Sequence, residues 1–300
     1  MIRKFLLKCL VFCFVAVTAA LTLLAALNSL RPRMFDIGDA DTVYLGNSHI
    51  ETAVNDSIVS GAVNFGRSAE VSEYIYCKIK LLDRYNPGLT TVVVGFDPNL
   101  MWHEGSEHTL MHPTFIDMLT PRDWSMIISK GSYRDITHHL SRPFDVFKLL
   151  EYAKSILDKE NGIKNSTGIG GFIYLKRDRL QRAIELSDKD SIEAPAEPNP
   201  VGAYFMDRIY DYCKGHGLRL IFLCPPQHKL SKSSRVFVDI ASERYPDIKF
   251  LNFIDMPLPD SCFADLDHLN YRGAKTFSEF LETEIINNPA SYEAITDSIN

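Results

Sequence analysis

The chain has 300 residues, 46% hydrophobic and 23% charged, enough apolar material to bury the core of one domain carrying an insertion. A net charge of −6 with dispersed Lys and Arg excludes the basic surface that a nucleic-acid partner requires. The local cluster Lys176-Arg177-Asp178-Arg179 with Arg182 is interleaved with acids, as on a solvated helix face.

From Phe5 to Leu27 the chain is almost entirely apolar, interrupted by Lys8 and by small or hydroxylated residues, and is long enough to span a bilayer core of about 30 Å. Arg3, Lys4 and Lys8 lead the segment, while Arg31 and Arg33 follow it and soften the asymmetry. Residues 1–33 therefore read as a signal anchor with the body of the protein outside the cytoplasm. The rival is a cleaved secretory signal, for which Ala19-Ala20 and Ala25-Ala26 offer small residues.

Strand-forming runs at about 42–46, 61–65, 91–96, 218–224 and 248–253 alternate with helical stretches, the pattern of a doubly wound α/β fold with a mostly parallel five-stranded sheet. Val71 to Tyr85 is the clearest crossover helix. The interval from about Pro98 to Gly217 is too long for plain loop. It contains helical pieces at Pro143–Lys159 and Ile173–Leu186 and a Pro-rich linker from Pro195 to Pro200, and reads as an inserted helical cap over about 100–215 that roofs the site. The α/β domain then occupies 34–290, with residues 291–300 as a tail.

Two short strings carry the chemistry. Leu45-Gly46-Asn47-Ser48-His49 follows the first strand, and Asp265-Leu266-Asp267-His268-Leu269-Asn270 precedes a terminal amphipathic helix from Tyr271 to Leu281. Together they supply a serine, a histidine to take its proton and a carboxylate to orient that histidine, the set that acyl transfer needs. Ligands bind outside the carboxyl ends of strands in open α/β sheets, which is where Ser48 falls. Asp265 competes with Asp267 as the orienting carboxylate, and either also suits a helix cap. His49 adjoins Ser48 and diverges from it, so it reads as a substrate-contacting neighbour and His268 as the base.

Gly46-Asn47-Ser48, with Asp265 and His268 spaced as Asp-x-x-His before Leu269-Asn270 and Gly273, resembles the SGNH (GDSL-like) esterase and acyltransferase superfamily. The similarity points in particular to its membrane-anchored branch that handles acyl groups of cell-envelope polymers. It implies Ser48 as nucleophile, His268 as base and Asp265 as its partner. It further implies an oxyanion hole from the Ser48 and Gly66 backbone N–H groups, Gly66 standing in Asn64-Phe65-Gly66 after the second strand. The family's third block is usually Gly-x-Asn-Asp, whereas this chain reads Gly95-Phe96-Asp97-Pro98-Asn99. Asp97 as a carboxylate cannot donate to an oxyanion, so Asp97 has another role, Asn99 takes the donor's place, or backbone groups suffice.

The resemblance implies an O-acyl, in particular acetyl, transferase or esterase acting on envelope or exported polysaccharide, working with a multispanning membrane partner that delivers the acyl group. No cofactor is implied. A reading of a different class is an inactive glycan-binding or assembly scaffold on the same shell. Trp102, with Met101 and Trp124, would line an acyl or sugar pocket or else form cap core. His228, after Pro225-Pro226-Gln227, would reach the site or simply end the fourth strand. His103 and His108 with Glu104 and Glu107 read as a solvated or substrate-facing loop more than as a metal site, and His138 and His139 as helix-end or surface residues. Cys9 and Cys13 lie in the apolar segment; Cys77, Cys213, Cys224 and Cys262 are widely spaced, with no Cys-x-x-Cys pair to suggest zinc. Asn165 to Gly171 is glycine-rich but lacks the Gly-Lys-Ser/Thr ending of a phosphate loop.

Overall fold

A computed structural model describes residues 2–102, 113–130, 154, 169–176, 179–186, 197–231 and 235–286. The expected helix Pro143–Lys159 (apart from Lys154), the His103–His108 loop, His138, His139, residues 165–168 and the tail lie outside the described residues. The strands are β1 (Thr42–Leu45), β2 (Ala62–Asn64), β3 (Thr91–Gly95), β4 (Arg219–Cys224) and β5 (Lys249–Asn252). They form one parallel sheet in the order β2-β1-β3-β4-β5. Side chains alternate across it because successive residues of a strand face opposite sides. Val43, Leu45, Val92, Val94, Phe222 and Cys224 enter one core; Tyr44, Val93, Ile221, Leu223 and Leu251 enter the other. With both faces covered, the fold is the α/β three-layer architecture anticipated from the strand pattern.

On the first face lie α4 (Ser72–Tyr85) and α7 (Pro200–His216); on the second lie α3 (Ser48–Ala53) and α9 (Tyr271–Phe280), which continues as a π-turn over Leu281–Ile286. Helix α4 begins with Glu73 in its first turn and ends with Arg84 in its last, charges that complement the helix dipole. Asn86 stops it: its amide donates to Leu82 and Phe35 carbonyls and accepts from Ile37 N–H. Helix α7 starts at the end of the Pro-rich stretch, where Asn199 accepts from Val201 and Gly202 N–H groups, and closes at Gly217 with φ +70°. Because α7 packs on α4 and β4, it is a crossover layer of the sheet, so the insertion expected to reach residue 215 ends before Pro200. Its described parts include α5 (Pro121–Lys130) and α6 (Leu180–Leu186).

The expected helix Ile173–Leu186 forms only from Leu180. Residues 171–176 are non-helical because their backbone groups serve neighbours: Gly171 N–H donates to Gly66, Ile173 N–H to Glu51, and the Leu175 carbonyl accepts from Tyr271. This strap ties the loops after β1 and β2 to the start of α9.

Helix α1 (Ile2–Asn28) precedes the domain; Ile2–Ala26 has mean hydropathy 2.6 and is long and apolar enough to cross a membrane. The short α2 (Arg31–Met34) already belongs to the globular body, slightly ahead of the expected boundary at residue 34. Arg31 is 4% exposed and grips Asp117 through two contacts of 2.6 and 2.7 Å, while Phe35 packs on Phe65 and Phe115.

Beneath the loop that follows β2, Lys78 of α4 and Glu70 form an ion pair at 2.5 Å with both side chains 1% exposed, and Lys78 Nζ also donates to the Phe65 carbonyl at 2.7 Å. Burial pushes the Glu70 carboxyl up to about 7 against the pull of Lys78, and pushes Lys78 down. Lys78→Met leaves Glu70 buried without its cation and is expected to cost about 3–5 kcal/mol in urea unfolding, most of it recovered in Lys78→Met/Glu70→Leu. From the ordinary 4.5 to about 7, the unfolded chain releases the Glu70 proton before the folded protein does, so this site's contribution to stability falls as pH rises. Unfolding across that window is expected to show a steeper decline in wild type than in Glu70→Gln.

Candidate active site

Ser48 sits at the first position of α3, directly beyond the carboxyl end of β1. Strand β1 lies between β2 and β3, the point where strand order reverses and crevices form in open α/β sheets. Gly46 makes the turn with φ +145°, and Asn47 caps the helix by accepting from His49 N–H at 3.0 Å. The helix lies very close to the strand ends. A Cβ on Gly95 would meet Ile50 Cγ1 at 2.0 Å, and one on Gly66 would meet Glu51 N at 2.7 Å.

His268 and Asp265 come from the loop between β5 and α9. An antiparallel bridge between Phe263 and Leu269 and a hydrogen bond from Ala264 N–H to the His268 carbonyl fold it into a tight hairpin. Asn270 fastens its exit by capping α9 and donating to the Ser261 and Phe263 carbonyls. Gly273 admits the Cys262 carbonyl where a Cβ would meet it at 2.2 Å.

The two loops converge. Ser48 Oγ lies 2.8 Å from His268 Nε2, and His268 Nδ1 lies 2.7 Å from Asp265 Oδ1. The same Asp265 oxygen accepts from the Asp267 and His268 N–H groups, which holds the carboxylate in place. An acceptor at Nδ1 fixes the hydrogen there and leaves Nε2 as the lone pair facing the serine hydroxyl, the tautomer a general base needs. Asp267 accepts instead from Ser231 Oγ at 2.5 Å, so of the two competing carboxylates Asp265 is the one in contact with the imidazole.

The expected oxyanion donors divide. Among the described residues no acceptor takes the Ser48 N–H, whereas the Gly66 N–H donates to Asn64 Oδ1 at 2.7 Å. Gly66 is therefore not a free donor, a correction to what the family resemblance implies. Asn64 is buried and also donates to the Ile50 and Val54 carbonyls, locking the loop after β2 to α3. Asn99 lies in the short 3-10 turn Pro98–Leu100, and its side chain is outside the described residues.

His49 remains beside the pair, its ring edge-on to His268 with centroids 5.1 Å apart. Its Nδ1 lies 3.1 Å from Asp97 Oδ2, and the Gln227 amide lies 3.4 Å from the same nitrogen. Asp97 thus has a role other than donation to an oxyanion: it is 2% exposed and holds His49. His228 turns away to Asp260 at 3.3 Å and packs edge-on against Phe263, so it does not join Ser48. Trp102 is 7% exposed and packs on Phe237 at 4.8 Å, and Met101 is buried, placing both in the core and not on a pocket wall. Among the described residues no cluster of His, Cys, Asp and Glu has the form of a metal site, and Cys77, Cys213, Cys224 and Cys262 are buried free thiols.

Sequence reasoning missed the Asp97–His49 pair, Gln227, Asn64 and the strap. Each depends on contacts between distant segments, and the substitution at Asp97 was the single local signal pointing to any of them.

No family model matches the chain, and no curated protein matches it significantly. Among solved structures it is similar to one from Streptococcus pneumonia described as a "putative platelet activating factor", at 10% identity and a TM-score of 0.36, covering 91% of this chain and 97% of the other. At that distance the likeness says nothing about chemistry.

Proposed function

We propose that this chain is a membrane-anchored, extracytoplasmic serine acyltransferase or esterase acting on O-acyl, in particular acetyl, groups of envelope or exported polysaccharide. The observation that carries the chemistry is the chain of contacts from Ser48 Oγ to His268 Nε2 and from His268 Nδ1 to Asp265, at 2.8 and 2.7 Å. Ser48 Oγ attacks the acyl carbonyl while His268 takes its proton. Asp265 stabilises the imidazolium that forms. The Ser48 N–H, which no described acceptor takes, would receive the developing oxyanion, and the Gly66 N–H would serve only by exchanging its bond to Asn64. His268 then protonates the leaving oxygen, and an acceptor hydroxyl repeats the sequence in reverse on the acyl-serine.

The exposed apolar α1 supports anchoring. Arg3, Lys4 and Lys8 lead the apolar segment against Arg31 and Arg33 behind it, a bias toward an amino terminus in the cytoplasm. The glycan acceptor and a multispanning partner that supplies the acyl group rest on the family resemblance of the two motif strings. A scaffold reading has no use for three side chains held in this order.

Intact-protein mass spectrometry after incubation with p-nitrophenyl acetate is expected to show one acetyl group on the wild type and none on Ser48→Ala. Asp265→Asn, which upsets the tautomer of His268, is expected to slow acetylation by about three to four orders of magnitude. A Ser48→Ala variant that acetylates like wild type ends the proposal.

A further inference from the structure

Acylation of Ser48 needs one oriented imidazole, yet a second stands beside it. Asp97 accepts at His49 Nδ1, so the neutral ring carries its hydrogen there and presents a lone pair at Nε2. Among the described residues nothing hydrogen-bonds that nitrogen, and the side chain keeps 10% exposure. Water attacking an acyl-serine needs one contact, to His268. A molecule that brings two adjacent hydroxyls has use for both imidazoles.

We propose that His49, fixed by Asp97, is the acceptor subsite of this enzyme and that the acceptor it selects is a vicinal diol, the chemistry of neighbouring hydroxyls on a sugar ring. This rests on the acyl-transfer reading of Ser48. One hydroxyl donates a hydrogen bond to His49 Nε2, and its neighbour is thereby turned toward His268 Nε2. As the new C–O bond forms, the attacking hydroxyl gives its proton to His268; as the Ser48 Oγ–C bond breaks, His268 returns that proton to Oγ. His49 moves no proton and acts by binding.

The test uses the full-length protein in detergent with p-nitrophenyl acetate as donor, comparing cis-cyclohexane-1,2-diol with cyclohexanol as acceptor and measuring ester against free acetate by mass spectrometry. Wild type is expected to favour the diol. In His49→Asn the amide nitrogen replaces Nδ1 toward Asp97 but nothing replaces Nε2, so the preference is expected to fall about fivefold, the worth of one hydrogen bond, with a matching rise in KM for the diol. His49→Gln, which brings an amide back near Nε2, is expected to recover part of it. A wild type without preference for the diol, or a folded His49→Asn variant that keeps it, overturns the proposal. A wild type that forms no acetyl-Ser48 overturns the acyl-transfer reading beneath it.

Discussion

The arrangement of this protein depends on how closely α3 approaches the ends of β1 and β3. Ile50 occupies the space where side chains on Gly46 and Gly95 would stand, so the helix that begins with Ser48 rests almost directly on the sheet. A helix seated this low places its first residue at the switch point between β1 and β3, where a crevice is open and the serine can face a loop arriving from beyond β5. Phe277 and Ile50 share the second core, so the helix after His268 and the helix after Ser48 are joined by the same apolar packing that brings the two side chains to 2.8 Å.

Beneath and around this contact the protein buries several polar groups that tie neighbouring segments together. Asn64 spans from the Gly66 N–H to the Ile50 carbonyl of α3 and the Val54 carbonyl just past its end. Glu51 of α3 accepts from both the backbone and the hydroxyl of Ser68, and burial pushes its carboxyl up. Lys78 reaches up from α4 to the Phe65 carbonyl with Glu70 as its counter-charge. Buried polar groups are costly unless partnered, so a loop held by three such sets has few alternative conformations. Rigid placement of the β2–α4 loop is what a site built from separate segments requires.

The insertion contributes a strap more than a roof among the described residues. Gly170, at φ +107°, passes so near the Phe65 carbonyl that a Cβ would sit 2.3 Å from it, and the chain then bonds in turn to Gly66, Glu51 and Tyr271. The strap thereby bridges the serine loop and the histidine loop on the outside, as Ile50 and Phe277 bridge them within.

The sequence by itself determined the strands, their parallel order of connection, the apolar first helix and the identity of the serine, histidine and aspartate. Alternation of apolar residues, capping residues and the two motif strings are local signals, and local signals survive without a fold. It also raised the right question at Asp97, because a carboxylate cannot donate to an oxyanion. Only the tertiary structure decided that Asp97 holds His49, that the Gly66 N–H is already taken by Asn64, that Trp102 is core and that residues 173–176 belong to a strap instead of a helix. Each of these is a choice among partners equally available in sequence, made by which buried polar groups the packing brings within hydrogen-bond reach.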